Sequence, residues 1–158
     1  VLNRAVPGKI ILGELGGIEA GVRQLIRKRP LEVQRVDLPS GARLTVPTVD
    51  EIARIKAYLI VKRNQMRDYL DLAALSGRFG RESVGVTLAR IDEYYSDDTH
   101  PDDRPVQSQL ARQLADPRPK DSRSIRDLPT YKALEPRWRK WDDVVAECVA
   151  LAADVVNG

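Results

Sequence analysis

A chain of 158 residues with 42% hydrophobic and 31% charged side chains has enough apolar material for a single domain, 1–158, with its own core. Aromatics at 5% and charged residues at 31% favour a helical, salt-bridge-rich protein over a β-sandwich, and a net charge of +3 permits nucleic-acid binding without requiring it. No run approaches the roughly 20 apolar residues of a membrane span, no signal-peptide pattern opens the chain, and a lone cysteine, Cys148, excludes an internal disulfide. The sequence therefore predicts a cytoplasmic protein with no membrane partner.

In chain order, IIL at 10–12 reads as a short strand ended by glycines 13, 16 and 17. The spacing of Ile18, Val22 and Leu25 then predicts a helix stopped by Pro30. The glycine-rich GELGGIEAG could expose backbone N–H groups to a phosphate, but it matches no phosphate-loop pattern and reads as turns. Arg23, Arg27, Lys28 and Arg29 follow as a basic cluster, most simply a solvated face. LEVQRVDL and ARLTVP alternate apolar and polar residues around Leu38-Pro39-Ser40-Gly41, which predicts a β-hairpin over residues 31–46.

The stretch 48–75 organises the rest. Thr48 and Glu51 form a T-x-x-E capping box, and Ile52, Ile55 and Leu59 form the expected buried stripe of the helix it opens. Lys56 and Arg63 sit at the margin of that stripe, next to Ile60. In the next helix Met66, Leu70, Ala73 and Ala74 form the expected packing face. Arg67, Asp68 and Asp71 form the polar one, with Arg67 and Asp71 an i,i+4 pair.

A core-edge lysine followed by basic residues and an R-D-x-x-D helix resembles the AbiEii/AbiGii-type nucleotidyltransferase toxin family. The matching residues are Lys56 with Leu59, then Lys62 and Arg63, then Arg67, Asp68 and Asp71; the small residue of the first motif is displaced to Ala57. The resemblance runs from residue 31 to Leu75. It implies nucleotidyl transfer from an NTP to an RNA or protein acceptor with Mg2+, a cognate antitoxin as partner, and RNA such as tRNA as a possible substrate. Lys56, Asp68 and Asp71 would be its catalytic residues, with Lys56 on the triphosphate and Asp71 or Asp68 orienting it or acting as base. Arg63 and Arg67 would bind substrate.

The family also carries a glycine-rich turn and a D-x-D carboxylate pair upstream. Here Gly16-Gly17 is followed by Ile18 and Glu19, no aspartate precedes Asp37, and no metal ligands are found. With Val1 at its start, the chain reads as the C-terminal helical part of such a protein, with 1–47 a strand and turn remnant of its core and 48–158 helical. It is expected to be inactive alone, because no metal would neutralise the triphosphate. The alternative is a non-catalytic helical module that binds a protein partner or nucleic acid.

Beyond Leu75, Gly77 and Gly80 are expected to break the helix, and a new one starts near Glu82 with Val84, Leu88, Ile91 and Tyr95 as its stripe. SDDTHPDDRP gathers Asp97, Asp98, His100, Asp102 and Asp103. An acidic run between prolines reads as a mobile solvated loop before it reads as a metal site. Val106, Leu110 and Leu114 mark a short helix ended by Asp116-Pro117. A basic connector follows, with Arg118, Lys120, Arg123, Arg126, Arg137, Arg139 and Lys140 beside Tyr131 and Trp138. Such a segment can clamp RNA, though aromatics that pin it to the core are commoner. Trp141, Val144, Val145, Cys148, Ala152 and Val155 form a last amphipathic helix. The fold class is mainly α with a short β-hairpin (α+β).

Overall fold

The computed structural model describes residues 2–6, 10–97 and 104–158. The chain is mainly helical, as the sequence indicates, with more strand than it suggests. β1 (Leu2–Val6), β2 (Ile10–Leu15) and β3 (Ile18–Arg23) form an antiparallel sheet, and β4 (Val33–Asp37) and β5 (Arg43–Pro47) form a separate hairpin. The helices are α1 (Val49–Arg63), α2 (Met66–Phe79), α3 (Arg81–Ala89), α4 (Val106–Ala115) and α5 (Trp141–Asn157). Among the described residues three 3-10 segments, Ile91–Glu93, Ser122–Thr130 and Pro136–Arg139, lie in the connections.

The hairpin over 31–46 is present, in register from Val33 opposite Pro47 to Asp37 opposite Arg43. The helix expected from Ile18 up to Pro30 is not: Ile18–Arg23 is strand β3, paired with β2, and no helix follows it before Pro30. Gly16 and Gly17 hold φ of +60° and +79°, the two positive values that a tight two-residue hairpin turn demands and that only glycine adopts freely. A spacing of four also fits a period of two, so Ile18, Ala20 and Val22 line one strand face as readily as a helix stripe. Register places Ile11, Gly13 and Leu15 opposite them.

The core lies among the helices. In α1 the buried stripe is Ala53, Ala57 and Ile60, while Ile52, Ile55 and Leu59 are only half-buried. The expected face is thus rotated: the small side chains, not the large ones, let neighbouring helices approach. Met66, Leu70 and Ala73 of α2 are buried as expected, with Tyr69 and Leu72 beside them; Ala74 is half-buried. Val84 and Leu88 of α3 are buried as expected, but α3 ends at Ala89, so Ile91 and Tyr95, also buried, lie beyond the helix expected to carry them. Val106, Leu110 and Leu114 of α4 and Val144, Cys148, Ala152 and Val155 of α5 are buried on the expected stripes, with Trp141 and Val145 half-buried. Burying each leucine-sized side chain contributes about 2 kcal/mol.

α2 runs straight through Gly77 and ends at Gly80, whose φ is +96°. Gly77 serves packing: a Cβ there would lie 2.7 Å from Cζ2 of Trp138. Gly85 does the same between α3 and α5, where an added Cβ would meet Cβ of Asp154 at 2.5 Å. No described helix is long and apolar enough to cross a membrane.

Candidate functional site

The candidate residues flank a tight helical corner. Asn64 takes the left-handed conformation at the end of α1, with φ of +50°, a state asparagine tolerates better than most residues. Its amide donates to Ile60 O at 2.9 Å, its Nδ2 donates to Arg118 O at 2.9 Å, and its Oδ1 accepts from Tyr69 OH at 2.6 Å. The corner folds α2 back along α1 and brings the charged residues of both helices together.

Lys56 meets Asp71 across the two helices, Nζ to Oδ2 at 2.6 Å. Arg63 holds Asp68 with two parallel hydrogen bonds, from Nε to Oδ2 at 2.6 Å and from Nη2 to Oδ1 at 2.7 Å. Asp68 is fully buried, not on a polar surface as its place in R-D-x-x-D suggests. Those hydrogen bonds raise the Arg63 pKa above its usual value, and burial opposes them only in part. Arg67 lies exposed, and the partner of Asp71 is Lys56 instead of Arg67.

Beside this corner lies a cleft of about 410 Å³. Ile52, Ala74, Leu75, Leu134 and Trp138 form its apolar lining, and Lys56, Arg78, Asp71 and Glu135 add two cations and two carboxylates. Ala133 also lines it and holds φ of +58°, a strained state for a residue with a Cβ.

A second cluster has only a faint signal in the sequence. Thr48 caps α1 as expected, its hydroxyl accepting from Glu51 N at 3.2 Å. The Glu51 side chain does not return the bond. It is fully buried, and Arg27 grips it with a charged pair that includes Nη2 to Oε2 at 2.9 Å. Arg54 reaches both Glu51 and Glu32, Tyr94 OH donates to Glu32 Oε1 at 2.8 Å, and the Arg54 guanidinium lies 3.9 Å from the Tyr94 ring centroid. Burial alone would raise the Glu51 pKa, but the Arg27 hydrogen bond and charge outweigh it and the net direction is down. Arg27 belongs to a basic run that reads as a solvated face, so only the i,i+3 spacing of Glu51 and Arg54 hinted at the cluster.

Asp97, expected in a solvated loop, is buried and bound by Lys62 and by Gln109 Nε2 at 3.1 Å. Asp98, His100, Asp102 and Asp103 lie outside the described residues. Among the described residues no group of three or more His, Cys, Asp or Glu side chains is placed to hold a metal ion. Chemically, the arrangement is a set of closed ion pairs that pin helix to helix, beside one amphipathic cleft.

The comparisons with known proteins agree on one relationship. The chain is 36% identical over 131 residues to the "Mycolic acid-containing lipids exporter MmpL11" of Mycolicibacterium smegmatis, covering 83% of the chain and 13% of the exporter. It is 35% identical over 149 residues to the "Heme uptake protein MmpL11" of Mycobacterium tuberculosis, covering 91% of the chain and 14% of that protein. A "Probable transport protein MmpL11" of Mycobacterium leprae is 37% identical over 132 residues. The chain is therefore related to one segment of MmpL11 transporters, and spans only 12% to 14% of the length of these relatives. No protein-family model matches the chain. No solved structure matches it.

These findings correct the resemblance to nucleotidyltransferase toxins and the toxin function drawn from it. The physical reason is visible at the corner: a lysine on one helix and R-D-x-x-D on the next are also what two antiparallel helices need for cross-helix ion pairs. The Mg2+, NTP and antitoxin implied by that resemblance lose their ground with it.

Proposed function

We propose that the chain is a non-catalytic helical module of an MmpL11-type transport system, and that it works by binding. The observation that carries this reading is the similarity, which spreads over 83% to 91% of the chain and so takes in the helices and the cleft together. Lys56, Lys62 and Arg63, the cations best placed to hold a triphosphate, are each paired with a carboxylate. Such pairs favour a positioning role over phosphate chemistry.

The cleft supports the same reading. Its apolar lining suits an amphipathic ligand, and its charged lining, two cations and two carboxylates, is balanced in sign. A position at the cytosolic face of the membrane, with the relatives' transport work done elsewhere in their chains, belongs to the proposal.

The test is deletion of the matching segment from the exporter of Mycolicibacterium smegmatis, with transporter abundance followed by immunoblot. Loss of export of mycolic acid-containing lipids at unchanged abundance is the expected result. Undiminished export would show that the segment has no part in transport.

A further inference from the structure

The connector between α4 and α5 carries a row of cations that no described partner neutralises. Its middle, Ser122–Thr130, is a 3-10 helix, in which residues three apart eclipse one another and three distinct edges result. One edge holds Ile125 and Leu128, and Leu128 is fully buried. The next edge holds Arg123, Arg126 and Pro129, all exposed. Lys120 and Lys132 lie just outside the 3-10 helix at either end and are exposed too. The third edge carries the acidic Asp127, so the sign of charge is sorted by edge.

The connector is held in place from below. Lys120 N donates to Asn64 O at 2.8 Å, and Met66 N donates to Asp121 Oδ1 at 2.7 Å, fixing it to the α1–α2 corner. Its aromatics are spent on this anchoring: Trp138 is buried, with the Arg137 guanidinium 4.3 Å from its ring centroid, and Tyr131 is half-buried. Arg118 and Arg137 are paired with Asp116 and Glu147, but Lys120, Arg123, Arg126 and Lys132 have no ion pair among the described residues.

We infer that Lys120, Arg123, Arg126 and Lys132 form an electrostatic docking edge for an anionic bilayer surface. Charge complementarity carries the assignment: exposed basic residues gathered on one short connector, with no apolar wedge among them, suit a plane of negative headgroups. Single-stranded RNA is the competing occupant, and its usual stacking platform is missing because the aromatics face the core. The choice of a membrane also rests on the transport-module reading. That reading is tested by lipid export, so the two can fail separately.

The experiment is sedimentation of the full chain with phosphatidylglycerol-containing vesicles, with pure phosphatidylcholine vesicles, and with a fluorescent single-stranded RNA. Binding to the anionic vesicles alone is expected, and it should vanish as ionic strength rises from about 0.1 M to 1 M, where the screening length falls from about 10 Å to 3 Å. At about fivefold per surface charge, Arg123→Gln/Arg126→Gln should weaken binding on the order of twentyfold, and Arg123→Glu/Arg126→Glu further. Arg35→Glu/Arg112→Glu matches the net-charge change of the Glu double variant with two exposed arginines outside the connector, and should change binding less than about twofold. Thermal melting confirms folding, and the Gln pair decides if the Glu pair unfolds. Equal binding to neutral vesicles, an unaffected Gln pair, a control as weak as the row variants, or RNA binding without vesicle binding would each overturn the assignment.

Discussion

The Asp68 carboxylate is wholly buried, and the guanidinium of Arg63, five residues earlier and across the Asn64 corner, satisfies both of its oxygens at 2.6 and 2.7 Å. Lys56 and Asp71 make the same helix-to-helix connection with both side chains partly in water, 25% and 36% exposed. The two pairs have one topology and different surroundings.

That difference gives a contrast in stability. Removing Arg63 strands a buried carboxylate, so Arg63→Ala should destabilise by about 3 kcal/mol. Lys56→Ala, at the surface, should cost no more than about 1 kcal/mol. Urea denaturation measures both, and comparable losses would show that burial does not set the ranking.

The Glu51 cluster should make the fold sensitive to acid. The folded pKa of Glu51 lies below its ordinary 4.5, so its stabilisation is complete above about 4.5 and is lost as pH falls through the folded value. Glu51→Gln should flatten that part of the stability curve and lower stability at neutral pH, because Arg27 and Arg54 lose their shared anion. An unchanged acid limb in the variant would place the transition in other groups.

Gly85→Ala pits two effects against each other. Alanine gains up to about 1 kcal/mol of helix propensity, but its Cβ would meet Asp154 at 2.5 Å, and overpacking typically costs about 1–3 kcal/mol. A lower melting temperature is expected, and a rise would mean that α3 and α5 can move apart freely.

Burial pushes the Cys148 thiol up to about 12, and it is fully enclosed in α5. A raised thiol pKa leaves stability intact below the ordinary 9.0 and erodes it as pH climbs from there towards 12. Cys148 should therefore resist a thiol reagent in native buffer and react at once in denaturant. Rapid native labelling would show α5 opening on its own.

Much of the helical layer was legible in the sequence because its periodicity is unambiguous: Val106, Leu110 and Leu114 on α4, and Val144, Cys148 and Val155 on α5, admit no strand reading. Of the N-terminal strands, β2 was foreshadowed by IIL at 10–12; β3 was not, because Ile18 and Val22 fit periods of both two and four, and only the double glycine before them signalled a hairpin. α1 misled for another reason. Its large aliphatics lie half-buried while Ala53 and Ala57 take the centre, so side-chain size pointed to the wrong face. The charges of the candidate site were visible but not their state, since a sequence shows that Lys56 and Asp71 can meet, not that they are already paired. The transport relationship has no motif at all; it lies in the whole segment and not in any few residues.

The transport-module account is tested most directly by grafting. The matching segment of the Mycolicibacterium smegmatis exporter is replaced by this chain, and mycolic acid-containing lipid at the cell surface is measured in cells lacking the native exporter. The account predicts export restored well above the segment-deleted protein at equal abundance, and reduced again by Arg63→Ala where that substitution unfolds the module. A chimera that is produced at normal level and exports no more than the deletion would contradict it.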